Sequence, residues 1–296
     1  MSFFRSDGRL QHLLAEALAA AGAPEPSAGG PDAAAACLVA PDAEGALRGA
    51  SVQAHRLFYP ASLVKLFHAT AYMLAVDTGR LEPVEEDERA LAAMLRQSSD
   101  DADQYLVGRL TGAPPQVWLD GDALTAWMGR RAALGETIAA LHVPEFAGMV
   151  IAHPTFADGP FGAEHRFRQA QGGNRLSPLA MTRLLAMLTG AIEPAVPGAG
   201  RIVGWLDRAP ARRTGGDRTA QVGGCLAQDL PADIDVWSKA GWTSSVRHDA
   251  AWLRWPSGAS AWLVVMTSGD RLAASESFLP TVGRHVVQAL GNLDAA

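Results

Sequence analysis

Along this chain of 296 residues, apolar positions alternate between helical spacing, strand-like runs and irregular stretches in a definite order. Leu10, Leu13, Leu14 and Leu18 lie on one helical face, so residues 9–21 are expected to form an amphipathic helix, followed by a Gly/Pro/Ala-rich loop over 22–33. Ala36 to Ala40 reads as a buried strand, Asp42 to Gly45 as a turn, and Ala46 to Gln53 as the second strand of a hairpin. From Ser62 to about Val76 the sequence L-V-K-L-F-H-A-T-A-Y-M-L-A is apolar nearly all round, which predicts a central helix buried on every side.

Residues 81–190 hold helical stretches at 88–97, 102–110, 123–134 and 178–189, broken by Gly and Pro. Beyond residue 200 the period changes to that of strands, Ile234 to Trp242, His248 to Trp255 and Ala259 to Thr267, the last two joined across Pro256-Ser257-Gly258. A final helix is expected over Ser275 to Leu290, whose apolar residues 278, 279, 282, 286, 287 and 290 share a face. This order predicts an α+β fold of two lobes. Residues 1–67 and 200–296 form an antiparallel sheet with terminal helices, and 68–199 an all-helical lobe inserted in it, with the functional site in the cleft they share.

Composition narrows the partners. With 48% hydrophobic and 19% charged residues the chain has ample apolar surface for a core. A net charge of −6 gives no electrostatic footprint for nucleic acid or an anionic membrane. No run approaches a membrane span, and the N-terminus meets Arg5 and Asp7 before any apolar h-region, so a cytoplasmic location is expected. Cys37 and Cys225 are too few for a disulfide framework and lack metal spacing; both are expected to be buried apolar residues. Neither histidine spacing nor a phosphate loop is present, so no metal and no cofactor is implied. His248-Asp249 is read as a hydrogen-bonded pair of the sheet rather than a catalytic dyad.

Lys65 and Lys239 are the only lysines among 25 basic residues. A chain that otherwise uses arginine keeps lysine where a compact ammonium, or one able to lose its proton, is needed. Lys65 follows Ser62 by three residues at the start of the buried helix, on the same face. A serine hydroxyl becomes a useful nucleophile when a neighbouring base removes its proton, a task lysine can perform and arginine cannot. The helix N-terminus and the Ser62 N–H would favour developing negative charge.

Two further motifs follow in order, Gln97-Ser98-Ser99-Asp100-Asp101 and Lys239-Ala240-Gly241-Trp242-Thr243. S-x-x-K, a serine-led polar triplet and K-[TSA]-G on a strand together resemble the class A β-lactamases and related penicillin-binding serine hydrolases. Both lysines occupy the family's lysine slots. The resemblance implies Ser62 as the acylated nucleophile, Lys65 as its base and Ser98 as the proton relay, with Lys239 binding a substrate carboxylate. It also implies Gly241 for close substrate approach and the Trp242 N–H as second oxyanion donor.

The triplet reads in two registers, Ser98-Ser99-Asp100 and Ser99-Asp100-Asp101. The first is preferred because it aligns Ala102, Gln104 and Leu106 with the family's pattern. Either register puts aspartate where the family has asparagine, an acceptor in place of an amide that also donates, beside the lysine and the substrate. Ala240 lacks the usual hydroxyl, which Thr243 or Ser244 would replace. Glu164 stands before a segment resembling the exit of the family's catalytic loop, but its surroundings do not reproduce the E-x-x-x-N pattern; it is the candidate deacylating base, a solvated loop carboxylate otherwise. The interval from Ser62 to Ser98 is shorter than the family's and that from Ser98 to Lys239 longer, which predicts a rearranged helical lobe. The function implied is that of a serine hydrolase opening a β-lactam, amide or ester that carries a carboxylate. An esterase or peptidase of the same fold, and a binding domain that has lost turnover, are the alternatives.

Overall fold

A computed structural model describes residues 3–25, 32–115, 117–155, 161–214 and 220–294. Half of the expected loop at 22–33, residues 26–31, therefore falls outside the described residues. The chain divides into two compact units, one of residues 1–63, 177–186 and 206–296, the other of residues 64–176 and 187–205. The segment 177–186, expected in the helical lobe, belongs to the first unit.

The first unit is built on a six-stranded sheet: β1 (Arg5–Ser6), β2 (Ala33–Pro41), β3 (Leu47–Val52), β4 (Asp235–Trp242), β5 (Arg247–Arg254) and β6 (Ser260–Ser268), in the order β1-β3-β2-β6-β5-β4. Only the β1–β3 pair is parallel. Helices α1 (Gly8–Ala20) and, at the other end of the chain, α11 (Phe278–Asp294) cover one face. Alternation along β2 explains its all-apolar sequence. Ala34, Ala36 and Leu38 join Leu14, Leu279 and Val286 in the core under the two helices, and Cys37, on the opposite face, meets Thr182 of the 177–186 segment. Burial on that face pushes the Cys37 thiol up to about 12, so it behaves as a small apolar residue.

The second unit is helical: α2 (Val64–Asp77), α3 (Glu85–Arg96), α4 (Asp100–Thr111), α5 (Gly121–Ala139) and α6 (Gly162–Gln171). Helix α7 (Pro178–Leu188) lies chiefly in the first unit, α8 (Ala199–Leu206) closes the second, and α9 (Ala209–Thr214) and α10 (Asp270–Ala274) return to the first. Helix α2 is buried from Val64 through Met73, as its unbroken apolar sequence requires. Its register against α3 and α4 is fixed by Asp87, whose buried carboxylate accepts from Tyr72, Tyr105, Arg109 and the Val84 N–H at 2.9–3.1 Å. Helix α6, where the sequence predicts a loop, is polar on its exposed face and buries only Ala163, Glu164 and Phe167. No described helix is long and apolar enough to cross a membrane.

Helix α11 crosses the 222–230 segment so closely that a Cβ on Gly283 would strike the Leu226 carbonyl, its carbon 3.2 Å away. Gly283→Ala should therefore lower stability by about 1–3 kcal/mol, although helix propensity alone favours alanine by about 1 kcal/mol. Urea unfolding monitored by circular dichroism reads the sign; a stabilised variant would mean that the crossing yields easily.

Candidate active site

Ser62 sits in a single 3₁₀ turn, Ala61–Leu63, that leads directly into α2. The segment delivering it is fastened to the sheet of the first unit. The Nε2–H of His248 on β5 donates to the Tyr59 carbonyl at 2.8 Å, and the Thr267 N–H donates to Nδ1 at 3.0 Å, so the ring is held neutral in one tautomer. Burial lowers its pKa from 6.5 to about 4. Asp249 is not its partner: neighbours on a strand face opposite ways, and the Asp249 carboxylate accepts the Leu226 and Ala250 N–H groups on the other face, where burial raises its pKa to about 6. The expected His248–Asp249 pair is thereby corrected.

Strand β4 is the last of the sheet, and the Ser62 turn packs against it at Gly241. A Cβ on Gly241 would lie 2.8 Å from the Ser62 nitrogen and 3.1 Å from the Pro60 carbonyl oxygen, so only glycine lets the two backbones approach. Along this strand the Ala240 N–H points off the outer edge to Gln221 Oε1 at 3.0 Å, whereas the Thr243 N–H turns inward to the Val246 carbonyl at 2.9 Å. Alternation sends the Trp242 N–H off the same outer edge as that of Ala240.

Lys239 is fully buried; Nζ donates to Gln221 Oε1 at 2.6 Å and the Ala240 carbonyl at 2.7 Å. The hydroxyl of Thr243 accepts the Ser245 N–H at 3.2 Å in the following turn. Beside Trp242 an open pocket is lined by Gly223, Gly224, Gln228, Arg247 and Glu276. Arg247 stands opposite Trp242 in the β4–β5 register, its Nε anchored on the Ala273 carbonyl at 2.9 Å. Sequence reasoning missed Arg247, because in an arginine-rich chain nothing distinguishes one such residue until strand register places it.

In the second unit Lys65, fully buried, donates Nζ to Asp100 Oδ1 at 2.6 Å, to the Ser98 carbonyl at 2.6 Å and to Ser98 Oγ at 3.3 Å. These contacts favour the register Ser98-Ser99-Asp100. Ser99 instead caps α4, accepting the Ala102 N–H at 3.2 Å, and Asp101 is exposed. The Ser98 backbone has φ +61°, a left-handed conformation that costs about 1–2 kcal/mol for a residue with a Cβ. Ala61 and Gln221 also have positive φ, so three of the five such non-glycine residues described adjoin Ser62, Lys65 or Lys239.

One helical turn on, a second rung repeats the first. His68 Nδ1–H donates to Asp103 Oδ1 at 2.6 Å, both residues buried, and Thr155 ties the rungs together: its N–H meets Asp103 Oδ2 at 2.6 Å and its hydroxyl lies 2.9 Å from that oxygen and 2.7 Å from Asp100 Oδ1. Burial pushes the Asp103 carboxyl up, but His68, Lys65 and the Thr155 N–H outweigh it and hold the group below its ordinary range. This rung also escaped sequence reasoning, since a histidine and an aspartate 35 residues apart carry no local signal.

Glu164 requires a correction. It lies in the first turn of α6, 2% exposed, not on a solvated loop. Its Oε1 is hydrogen-bonded to His153 Nδ1 at 2.6 Å, and Oε2 lies 3.0 Å from Arg131 Nη2 in an ion pair without a hydrogen bond; His153 is pinned in turn to the Gly172 carbonyl at 2.9 Å. A buried carboxylate must be paired in this way, and the pairing makes Glu164 a structural ion-pair member. Among the described residues no cluster of three or more His, Cys, Asp and Glu is arranged to hold a metal.

A serine at a helix start before a buried lysine, with a glycine-bearing edge strand against its backbone, defines a β-lactamase-like serine hydrolase fold. A model of the beta-lactamase enzyme family matches residues 122–290, more than half of the chain, and the chain belongs to that family. No curated relative matches in sequence. Among solved structures, a point mutant of PBP-A, in an acyl-enzyme complex with penicillin G, is similar at 17% identity and TM-score 0.68, covering 99% of this chain and 100% of that one. A beta-lactamase from Sphaerobacter thermophilus is similar at 18% identity and TM-score 0.64, covering 95% and 98%. A class A beta-lactamase of the last common ancestor of Gram-negative bacteria is similar at 19% and 0.61, covering 96% and 100%. At these identities the likeness establishes the fold.

The buried groups make stability depend on charge at two places. Asp103→Asn should cost about 3 kcal/mol at pH 7, because it leaves His68 and Thr155 facing an uncharged amide. The gap to the wild type should narrow as pH falls below the ordinary carboxylate value of 3.8, where the wild-type group loses its own advantage by protonation. Urea titrations at pH 7 and 3 give both numbers. For His248 the unfolded chain takes up a proton near pH 6.5 and the folded one only near 4, so stability should fall as pH drops through that window. Asp249 acts in the opposite sense between about 6 and 3.8, and the difference between the wild-type and His248→Gln stability curves isolates the imidazole. Parallel curves would contradict the assignment.

Proposed function

We propose that the protein is a serine hydrolase that forms an acyl-enzyme on Ser62 with a β-lactam or a related amide or ester carrying a carboxylate. The observation that carries this reading is the buried Lys65 ammonium, tethered to Ser98 Oγ and Asp100 and preceded by three residues by Ser62. Ser62 Oγ bonds to the substrate carbonyl carbon as the carbon–nitrogen or carbon–oxygen bond breaks. The Lys65 ammonium passes a proton to Ser98 Oγ as the Ser98 hydroxyl gives its own to the leaving atom, and the nitrogen freed in this way takes the Ser62 proton. The Ser62 and Trp242 N–H groups receive the oxyanion. Lys239, expected to bind the substrate carboxylate, is fully buried and holds Gln221 and the Ala240 carbonyl instead, so Arg247, in the open pocket beside Trp242, is the cation offered to that carboxylate.

Deacylation is the slow step in this reading. Glu164 is 2% exposed and ion-paired with Arg131 and His153, which holds it away from bulk water. The protein then resembles a penicillin-binding protein in holding its acyl group. The similar PBP-A variant has been solved as a penicillin G acyl-enzyme complex. An esterase of the same fold is favoured by Ala240, which withholds a hydroxyl from the carboxylate.

Incubation with benzylpenicillin and with a fluorophosphonate, read by intact mass, should give a stoichiometric adduct on the wild type that persists over minutes and is absent in Ser62→Ala. An adduct on Ser62→Ala, or none on the wild type with either probe, would overturn the proposal. Turnover of nitrocefin against a p-nitrophenyl ester separates lactamase from esterase.

A further inference from the structure

The pocket beside Trp242 lies wholly in the first unit, and the segment 222–228 forms one of its walls. That segment is stitched together by its own bonds. The Cys225 N–H donates to the Val222 carbonyl at 3.1 Å, the Gln228 N–H to the Cys225 carbonyl at 3.2 Å and the Gly224 N–H to Gln228 Oε1 at 2.6 Å. A piece so bonded moves as a unit, and its place is set by what ties it to the sheet. Just before it, Gln221 Oε1 accepts from Lys239 and Ala240 of β4; within it, the Leu226 N–H donates to the Asp249 carboxylate of β5 at 3.0 Å. The Leu226 carbonyl is in turn pressed against Gly283 of α11.

Arg247 and Asp249 stand two residues apart on β5 and share the face that this segment covers. Among the described residues the Arg247 guanidinium meets two carbonyls, that of Ala273 at 2.9 Å and that of Gly224 at 3.5 Å. Gly224, at φ +70°, fits so closely that a Cβ on it would lie 2.5 Å from Arg247 Nη1. Movement of the segment therefore moves the group against which the guanidinium rests.

Asp249 is wholly buried, and burial raises its carboxyl to about 6, against the pull of the Leu226 and Ala250 N–H groups and of the Arg208 and Lys239 cations. A hydrogen bond that favours the ionised form is by linkage stronger to the carboxylate than to the acid, so protonation loosens the hold on Leu226. Cys225, the other titratable group facing Asp249, stays a thiol because burial pushes it up. His248 points to the opposite face.

We propose that Asp249 is a positioning residue for anion binding: ionised, it latches the 222–228 segment to β5 so that Gly224 holds the Arg247 guanidinium toward the pocket, which then takes a carboxylate more tightly. This deepens the reading of Arg247 as the cation for the substrate carboxylate and rests on it. Asp249 reaches the ligand only through the segment.

The carboxylate of benzylpenicillin stays ionised from pH 5 to 8, and Ser62→Ala removes the acylated hydroxyl, so calorimetry on that variant reads binding alone. Affinity should fall about fivefold from pH 7.5 to 5, the difference between a charge-assisted and a neutral hydrogen bond. His248, which takes up its proton near 4, leaves that window clear. In Ser62→Ala/Asp249→Asn the affinity should be about fivefold lower at pH 7.5 and level across the range. A level profile in Ser62→Ala, or a slope that survives in the double variant, would overturn the proposal; if the double variant does not fold, the profile of Ser62→Ala decides. No binding to Ser62→Ala at any pH strikes the carboxylate reading of the pocket instead. Hydrogen exchange of the peptide carrying Leu226, corrected for the intrinsic effect of pH, then tests the latch by itself: protection that falls about fivefold from pH 7.5 to 5 sustains it, and constant protection ends it.

Discussion

The ammonium of Lys65 lies wholly inside the protein, and much of the surrounding structure follows from the need to keep it there. Burying an unpaired ion costs several kcal/mol, so the site must supply a counter-charge and acceptors. Asp100 supplies the charge, and the left-handed backbone at Ser98 turns both a carbonyl and a hydroxyl toward the same nitrogen. Asp100 is in turn braced by Thr155, which also binds Asp103, and Asp103 needs His68. Each group is explained by the one before it, so a change at the far end of the chain of contacts reaches the lysine without touching it.

In the first unit the controlling constraint is the approach of two backbones. The Ser62 turn and the edge of β4 meet where Gly241 has no side chain, and His248 fixes the preceding residues through a carbonyl rather than a charge. Groups that must receive a developing oxyanion gain from being fixed beforehand, since they then need no rearrangement as charge appears. The positive φ angles of Ala61 and Gln221 are the local cost of this arrangement, sustained by the packed sheet around them.

The sequence made some of this readable and hid the rest for physical reasons. S-x-x-K and K-A-G are local motifs whose spacing survives in any chain that uses them, and the scarcity of lysine marked both. The short apolar runs of β5 and β6 and the longer one of α2 declared their elements because burial dictates residue type at each position. Helix α6 was hidden by a polar sequence with a single turn of buried residues, and Glu164 looked solvated because its partners, Arg131 and His153, come from distant segments. His248-Asp249 misled for the opposite reason: adjacency in sequence suggests a pair, whereas strand geometry separates adjacent side chains onto opposite faces.

The two carboxylates named from sequence, Asp100 and Glu164, end in environments that exchange their expected parts. Glu164, the candidate for activating water, is 2% exposed and ion-paired with Arg131 and His153, and breaking a buried pair of that kind costs about 3–5 kcal/mol. Asp100, which stands where an amide was expected, retains an exposed oxygen beside the ammonium. The negative charge of this helical unit is thus divided between a carboxylate sealed in an ion pair and one that is open on one side.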